Sequence, residues 1–425
     1  MIYRPRRRQH TMSNTERSEN RHREIDDILA RKPGTEAVTD LADRYRVVGA
    51  ADRETYANWL TPLEEHYVCH RNETLDPAAE EWTVELGGAV ERAADLEMAA
   101  IREEYPTIAV AHTMECAGNG RGYFEPETGS VQWEYGAVST AFWTGTPLRS
   151  VLADHGAATD DDMWLTAVGG DRPEVDGEND RFARSIPMEK VLNDCILAYE
   201  VNGEPLPPEH GYPVRLLVPG WYGVNSVKWV TELRVTETMV HGEEWTDRDG
   251  EDFTQWQQSS YRIHPEGVEP ESNATISTFD TWDQLESAEI DHPYTFDQNV
   301  KSTIGAPDDG ATVSSDDGPI AVVGVAWAGD DAVTTVEVST DGGEEWTEAE
   351  CVGPDYDCAW RLFRYEWEPT PGSYTLVSRA TDERGRRQPM RIAAPDDEAD
   401  DEYPWNEGGY AENACLPHAV DVTVE

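Results

Sequence analysis

The sequence predicts an α+β protein in which a mixed domain is followed by an all-β sandwich. Three observations carry that prediction. Between residues 37 and 240, short apolar runs alternate with segments of helical periodicity. From Lys301 onward, apolar and polar residues alternate, and Asp-Gly, Gly-Asp and Pro-Gly turns punctuate the pattern. Between the two, residues 241–300 are acidic, carry Trp and Tyr, and show little periodicity.

Taken in order, residues 1–36 read as a disordered polar leader, with a short helix around Ile25–Arg31. Arg6-Arg7 has a twin-arginine look, but no apolar run follows, so the expected compartment is the cytoplasm. Met12 is an alternative start. In residues 37–240, "TIAVAHTM" (107–114), "MWLTAV" (163–168), "ILAYEV" (196–201) and "VRLLVPG" (214–220) read as strands. "LEMAAIREEY" (96–105) and "PMEKVLND" (187–194) read as the helices between them. Residues 241–300 form an acidic connecting segment that wraps the site. Residues 301–425 supply the sandwich, through "PIAVVGVAWAG", "AVTTVEVSTDGGEEWTEAECV", "WRLFRYEWEPT" and "SYTLVSRATDERG".

Composition narrows the function. The 425 residues hold 85 acidic and 34 basic side chains, a formal charge of −51. Such a surface repels nucleic acid and anionic membranes. Lysine occurs only at 32, 190, 228 and 301. This acidic, arginine-biased surface is expected of a halophile. No run approaches the ~18 apolar residues of a membrane span. The six cysteines form no C-x-x-C or C-x-x-C-H pattern, so zinc-ribbon and c-type haem sites are not expected. Cys351 and Cys358 flank a short loop, but a reducing compartment disfavours their pairing.

The chemistry-bearing stretches begin with "HTMECAGNGRGYF" (112–124). Cys116 follows a strand and precedes glycines that let backbone approach a ligand; Arg121 adds a donor for an oxyanion. The competing structural reading is a small buried residue before a tight turn. In "EHGYPVRLLVPG" (209–220), His210 and Arg215 flank a turn, either as phosphate donors or as loop and strand-edge residues. Lys228 lies between Val227 and Trp229, which suits phosphate binding in a lysine-poor chain. Trp133, Tyr261 and Arg379, each taken singly, read as structural.

Together these segments resemble the sulfite oxidase family of molybdopterin enzymes. "MECAGNGRG", "WEYGAVSTAFWTGTPLRSVL", "RSIPMEKVLNDCILAYEVNGEPLPPEHGYPVRLLVPGWYGVNSVKW", "VVGVAWAGDDAVTTVEVSTDGGEEW" and "RATDERGRRQP" occur in the family's order over about 60–425. The resemblance implies a sulfite-oxidase-type molybdopterin domain and an immunoglobulin-like dimerisation domain, hence a homodimer. It implies that Cys116 is the thiolate on molybdenum. It further implies that His70, Arg71, Asp176, His210, Arg215, Ser226, Val227 and Lys228 hold the molybdopterin (Moco). Arg121, Trp133, Tyr261 and Arg379 are implied in the anion pocket, Tyr261 across an insertion in 242–255. Cys69 stands where an Arg is usual.

The implied reaction is oxidation of sulfite to sulfate by oxo transfer. With no haem module in the sequence, electrons are expected to pass to an external acceptor, a cytochrome or other redox protein. Wording such as "DCILAYEVNGEPL" leans toward the sulfane-dehydrogenase branch, so a sulfane or thiosulfate dehydrogenase and a sulfoxide reductase are alternatives. Nitrate fits least, because no flavin or haem module feeds electrons in. Two other classes are a metal-free cysteine hydrolase, pairing Cys116 with His112 or His210, and a metal-free binding protein.

Overall fold

Among the described residues, two larger β-sheets, a three-stranded sheet of Thr35–Ala37, Val47–Ala51 and Val68–His70, and short helices build the N-terminal part. In the computed structural model, residues 27–28, 30, 32, 35–37, 47–70, 72, 74–171, 180–237, 239, 252–253, 261, 294–316, 318–395 and 401–425 are described. Most of the leader and of the acidic segment 241–300 therefore lie outside the described residues. The first sheet orders its strands as Ala183–Pro187, Trp164–Gly169, Val230–Thr236, Thr83–Gly88 and Ala94–Glu97. Only the Val230–Thr236 and Thr83–Gly88 neighbours run parallel. The second, antiparallel, orders Glu204–Pro205, Ile196–Val201, Val138–Pro147 and Ile108–Glu115, with Arg215–Leu217 added beside Ile196–Val201.

Burial explains why these runs read as continuously apolar. Every residue of Trp164–Gly169 is buried, so neither face needs polar residues. One core lies between the sheets and joins Leu86, Leu165 and Leu233 to Leu197 and Leu216. A second covers the other face of the second sheet, with Met114, Trp133, Trp143 and Leu217. The expected helices appear as Met98–Glu103 and Met188–Asn193. Leu148–His155 adds another, closed by Gly156 at φ +62°, the left-handed cap that glycine adopts without strain.

From Lys301 the strands form a sandwich, as the alternation predicts. One sheet orders Lys301–Ala306, Ile320–Trp327, Arg361–Trp367 and Glu350–Val352. The other orders Ala311–Val313, Val420–Val424, Gly372–Asp382, Val333–Ser339 and Thr347–Glu348. Their inner faces bury Ile304, Val322, Val336, Phe363, Leu376 and Val422.

The two parts meet in a buried, charged seam. Tyr56 and Val138 pack against Val325, Trp327 and Trp360. Lys301, 1 % exposed, lies 3.1 Å from Glu412 and 3.5 Å from Glu115. Trp327 Nε1 donates to Glu115 at 2.9 Å. Among the described residues, no helix is long and apolar enough to cross a membrane.

Candidate functional site

The strand Ile108–Glu115 delivers Cys116 to the wall of a cavity. The Cys116 N–H donates to Ala137 O at 2.9 Å, and the Cys116 carbonyl accepts from Asn119 N at 2.9 Å, which turns the chain. A Cβ on Gly118 would lie 2.5 Å from both terminal nitrogens of Arg121, so glycine there leaves room for the guanidinium. Arg121 is fixed by Nε to Gly408 O at 2.9 Å and by Nη1 to Val131 O at 2.9 Å. Its guanidinium stands 5.0 Å from the Tyr410 ring centre. The Gly-rich turn therefore seats a fixed positive charge behind the sulfur.

The Cys116 thiol is pulled below its usual range by the neighbouring Cys69 thiol, then by Arg121 and the Gly118 N–H, against the opposing effect of burial. The Cys69 thiol is in turn pushed well up by Cys116. His210 lines the same cavity as Cys116, whereas His112 does not. His112 instead accepts from Gly220 N at 3.3 Å and is driven down to about 3 by burial.

Across the cavity stand His210, Arg215 and Lys228. Gly211, at φ +102°, sits where a Cβ would meet Lys228 Cβ at 3.0 Å and Arg215 Cβ at 3.2 Å, so the "HGYP" glycine lets the stems pass. Arg215 donates to His210 O at 3.1 Å and to Ser226 O at 2.9 Å. Lys228 Nζ donates to Glu209 O at 2.8 Å and Cys69 O at 3.0 Å. Burial, then Arg215, pushes the Lys228 ammonium down to about 7. Burial drives Arg215 down to about 10 and His210 well below its usual range. The acidic group on this wall is Asp171, pushed up to about 6 by burial although Asn72 donates to it at 2.9 Å.

Burying cationic side chains is costly, and an anion bound beside them lowers that cost. Two buried nitrogens, His210 Nε2 and Arg215 Nε, also have no hydrogen-bond partner. A phosphate-bearing molecule with a soft metal beside Cys116 fits this donor set: thiolate for the metal, cations for the phosphate. A second cluster, Asp194, Asp330 and Cys358, lies close enough to surround a metal ion. Lys190 Nζ already joins its carboxylates, at 2.8 Å and 2.7 Å, and serves as the cation there.

Of the residues singled out from sequence, Cys116, His210, Arg215, Ser226, Lys228 and Tyr261 line one cavity. Tyr261 has φ +56° and stacks on Tyr410. Val227 points into the core between the sheets. Trp133 is buried one layer back, edge-on to the pocket residue Tyr67 at 6.3 Å. His70 ends the Val68–His70 strand, paired with Val47. Arg71 and Asp176 lie outside the described residues.

Arg121 is not among the residues that line the cavity, and Arg379 lies elsewhere. The latter is on Gly372–Asp382 in the sandwich and does not line the cavity. Glu337, opposite it in register, neutralises it at 2.8 Å, and Trp346 lies under it at 4.0 Å.

Sequence reasoning missed the pocket residues Tyr67, Met114, Asp171 and Phe182, and gave Cys69 no role beyond a departure. The "VGGD" turn was a usable signal: a Cβ on Gly169 would lie 2.5 Å from Asp171 Oδ1. Arg184, 1 % exposed and 5.1 Å from the Tyr261 ring centre, was also passed over.

Comparison with known proteins agrees with this geometry. Residues 71–244 match the oxidoreductase molybdopterin binding domain, and residues 292–394 the Mo-co oxidoreductase dimerisation domain. The chain is 31 % identical over 349 residues to sulfite oxidase of Gallus gallus, covering 79 % of this chain and 69 % of that one. It is 31 % identical over 333 residues to mitochondrial sulfite oxidase of Mus musculus, covering 76 % of this chain and 54 % of that one. It thus spans about half the length of the mammalian relatives it matches. Nitrate reductase [NADH] 2 of Phaseolus vulgaris is 29 % identical over 402 residues, 88 % of this chain and 41 % of that one. In fold, the chain is similar to the sulfane dehydrogenase SoxCD of Paracoccus pantotrophus. The TM-score is 0.69 at 24 % identity, over 100 % of this chain and 95 % of that one.

Proposed function

The chain belongs to the sulfite oxidase family of molybdopterin-dependent oxidoreductases, and from that premise we propose that it oxidises sulfite to sulfate and passes the electrons to a separate acceptor. The observation that carries this reading is the cavity that joins the Cys116 thiol to His210, Arg215 and Lys228. When bound, the molybdenum cofactor supplies oxo transfer and a two-electron sink. The chain's own residues bind and orient. Cys116 supplies a soft thiolate at the metal position. His210, Arg215, Ser226 and Lys228 hold the pterin phosphate by charge-assisted bonds. Tyr261, inside the cavity, donates its hydroxyl to the anionic substrate, while Arg121 keeps the local potential positive from behind Cys116. Sandwich pairing makes the working unit a homodimer.

A second reading, a sulfane or thiosulfate-type dehydrogenase, is favoured by one observation. Arg379 is held by Glu337, and the cavity is walled by Tyr67, Met114, Phe182, Val224 and Trp229. An apolar wall with fewer free cations suits a larger, less densely charged sulfur substrate.

The test is purification in molar salt, determination of molybdenum and pterin, and ferricyanide reduction with sulfite against thiosulfate. The proposal expects stoichiometric molybdenum and a higher kcat/KM for sulfite. Preference for thiosulfate favours the second reading, and a metal-free protein contradicts both.

A further inference from the structure

Tyr410 meets two residues of the site from the sandwich side, and the proposed reaction gives it no part. It belongs to residues 402–414, which follow the Gly372–Asp382 strand and precede Val420–Val424. This stretch lies on the Cys116 turn. Ala411 N donates to Ala117 O at 2.8 Å, and Gly408 O accepts from Arg121 Nε at 2.9 Å. Tyr410 is itself fixed through its backbone. Its N–H donates to Asn406 Oδ1 at 2.9 Å, and its carbonyl accepts from Asn406 Nδ2 at 3.0 Å and from the Tyr403 hydroxyl at 2.7 Å. A Cβ on Gly408 would run into the Tyr410 ring, so glycine there leaves the ring its place.

That ring stacks on Tyr261, with centres 5.3 Å apart and planes 28° apart, and the Arg121 guanidinium stands 5.0 Å from its centre. Tyr261 needs the support. Its φ of +56° is a conformation that a bulky residue keeps only where its surroundings hold it. Thr295 holds the Tyr261 carbonyl, through its N–H at 2.9 Å and its hydroxyl at 3.0 Å. Tyr410 holds the ring. We propose that Tyr410 is a positioning residue of the substrate site, its ring fixing Tyr261 in the cavity and Arg121 behind Cys116. The C-terminal part of the sandwich thereby sets the affinity for the anion. Both contacts are made by the ring, so phenylalanine can replace tyrosine here and an aliphatic residue cannot. The positioning rests on the ring geometry; its effect on sulfite rests on the proposed function, in which Tyr261 donates to the substrate.

The test compares the holoenzyme with Tyr410→Phe and Tyr410→Leu. The KM for sulfite and the calorimetric Kd for sulfate are measured beside kcat and molybdenum content. Tyr410→Leu should raise KM and Kd about tenfold, with kcat held within about twofold and molybdenum unchanged. Tyr410→Phe should keep the wild-type values. In a Tyr261→Phe background, Tyr410→Leu should cost less, because the hydroxyl it positions is already gone. Unchanged KM and Kd in Tyr410→Leu, equal impairment of Tyr410→Phe, loss of molybdenum, or an equal cost in both backgrounds would each overturn the proposal. Amide exchange of the peptide carrying Tyr261, followed in the cofactor-free chain, gives a reading that needs no turnover. It should quicken in Tyr410→Leu and stay unchanged in Tyr410→Phe, and equal exchange in all three chains also overturns the proposal. A wild-type holoenzyme that does not oxidise sulfite contradicts the proposed function instead, and the exchange rates still decide whether Tyr410 holds Tyr261.

Discussion

Lys228 shows how a single residue can be poised for a ligand. Its ammonium is buried beside Arg215 and lies down at about 7. Protonated Lys228 attracts an anion and neutral Lys228 does not. Binding of inorganic phosphate to the cofactor-free pocket should therefore weaken as pH rises through about 7, measured by calorimetry. Lys228→Met should bind more weakly and flatten that dependence; an unchanged profile would remove Lys228 from the anion site. Gly118 is tested through its neighbour. Gly118→Ala would put a Cβ 2.5 Å from the terminal nitrogens of Arg121 and must displace that guanidinium, and so should slow alkylation of Cys116 by iodoacetamide at neutral pH in the cofactor-free protein. Lys228 was legible because lysine is rare here and this one sits among apolar neighbours. Arg379 was not: its partner Glu337 comes from a neighbouring strand, and no local pattern reports that pairing.

Among the elements, the strand Ile108–Glu115 does two jobs. One end presents Cys116, and Glu115 beside it joins the seam to the sandwich. Lys301 compensates Glu115 and Glu412 there, all three being buried. Lys301→Met should destabilise the fold by about 3–5 kcal/mol, because it leaves buried carboxylates without their cation. Denaturant unfolding measures this, and a loss under about 1 kcal/mol would show that the seam does not depend on the pair. Four strands of the first part and two of its helices were legible from periodicity, since full burial makes a run such as "WLTAVG" apolar but for Thr166, whose hydroxyl bonds Ser185; strands such as Val138–Pro147 and Val230–Thr236 were not. The seam was not, because its partners, Glu115, Lys301 and Glu412, are far apart in sequence. Likewise, Tyr67, Asp171 and Phe182 meet Cys116 only once the sheets have formed.

For the whole molecule, the charge of −51 on 425 residues sets the working conditions. Self-repulsion opposes compaction, and at 1 M salt the screening length falls to about 3 Å. The thermal midpoint should therefore climb from dilute buffer to molar potassium chloride, and a flat dependence would contradict the halophilic reading of the surface. The fold class and the order of the two parts followed from the change of periodicity at Lys301. The identity of the site needed several segments read together, because Cys116 alone reads equally well as core. Everything functional then converges on that one sulfur. Molybdenum-edge X-ray absorption of the wild type and of Cys116→Ser, read beside sulfite-dependent ferricyanide reduction, tests it most directly. The variant should retain pterin, show one sulfur neighbour fewer at the metal and lose turnover. An unchanged sulfur shell with full activity would contradict the assignment of Cys116.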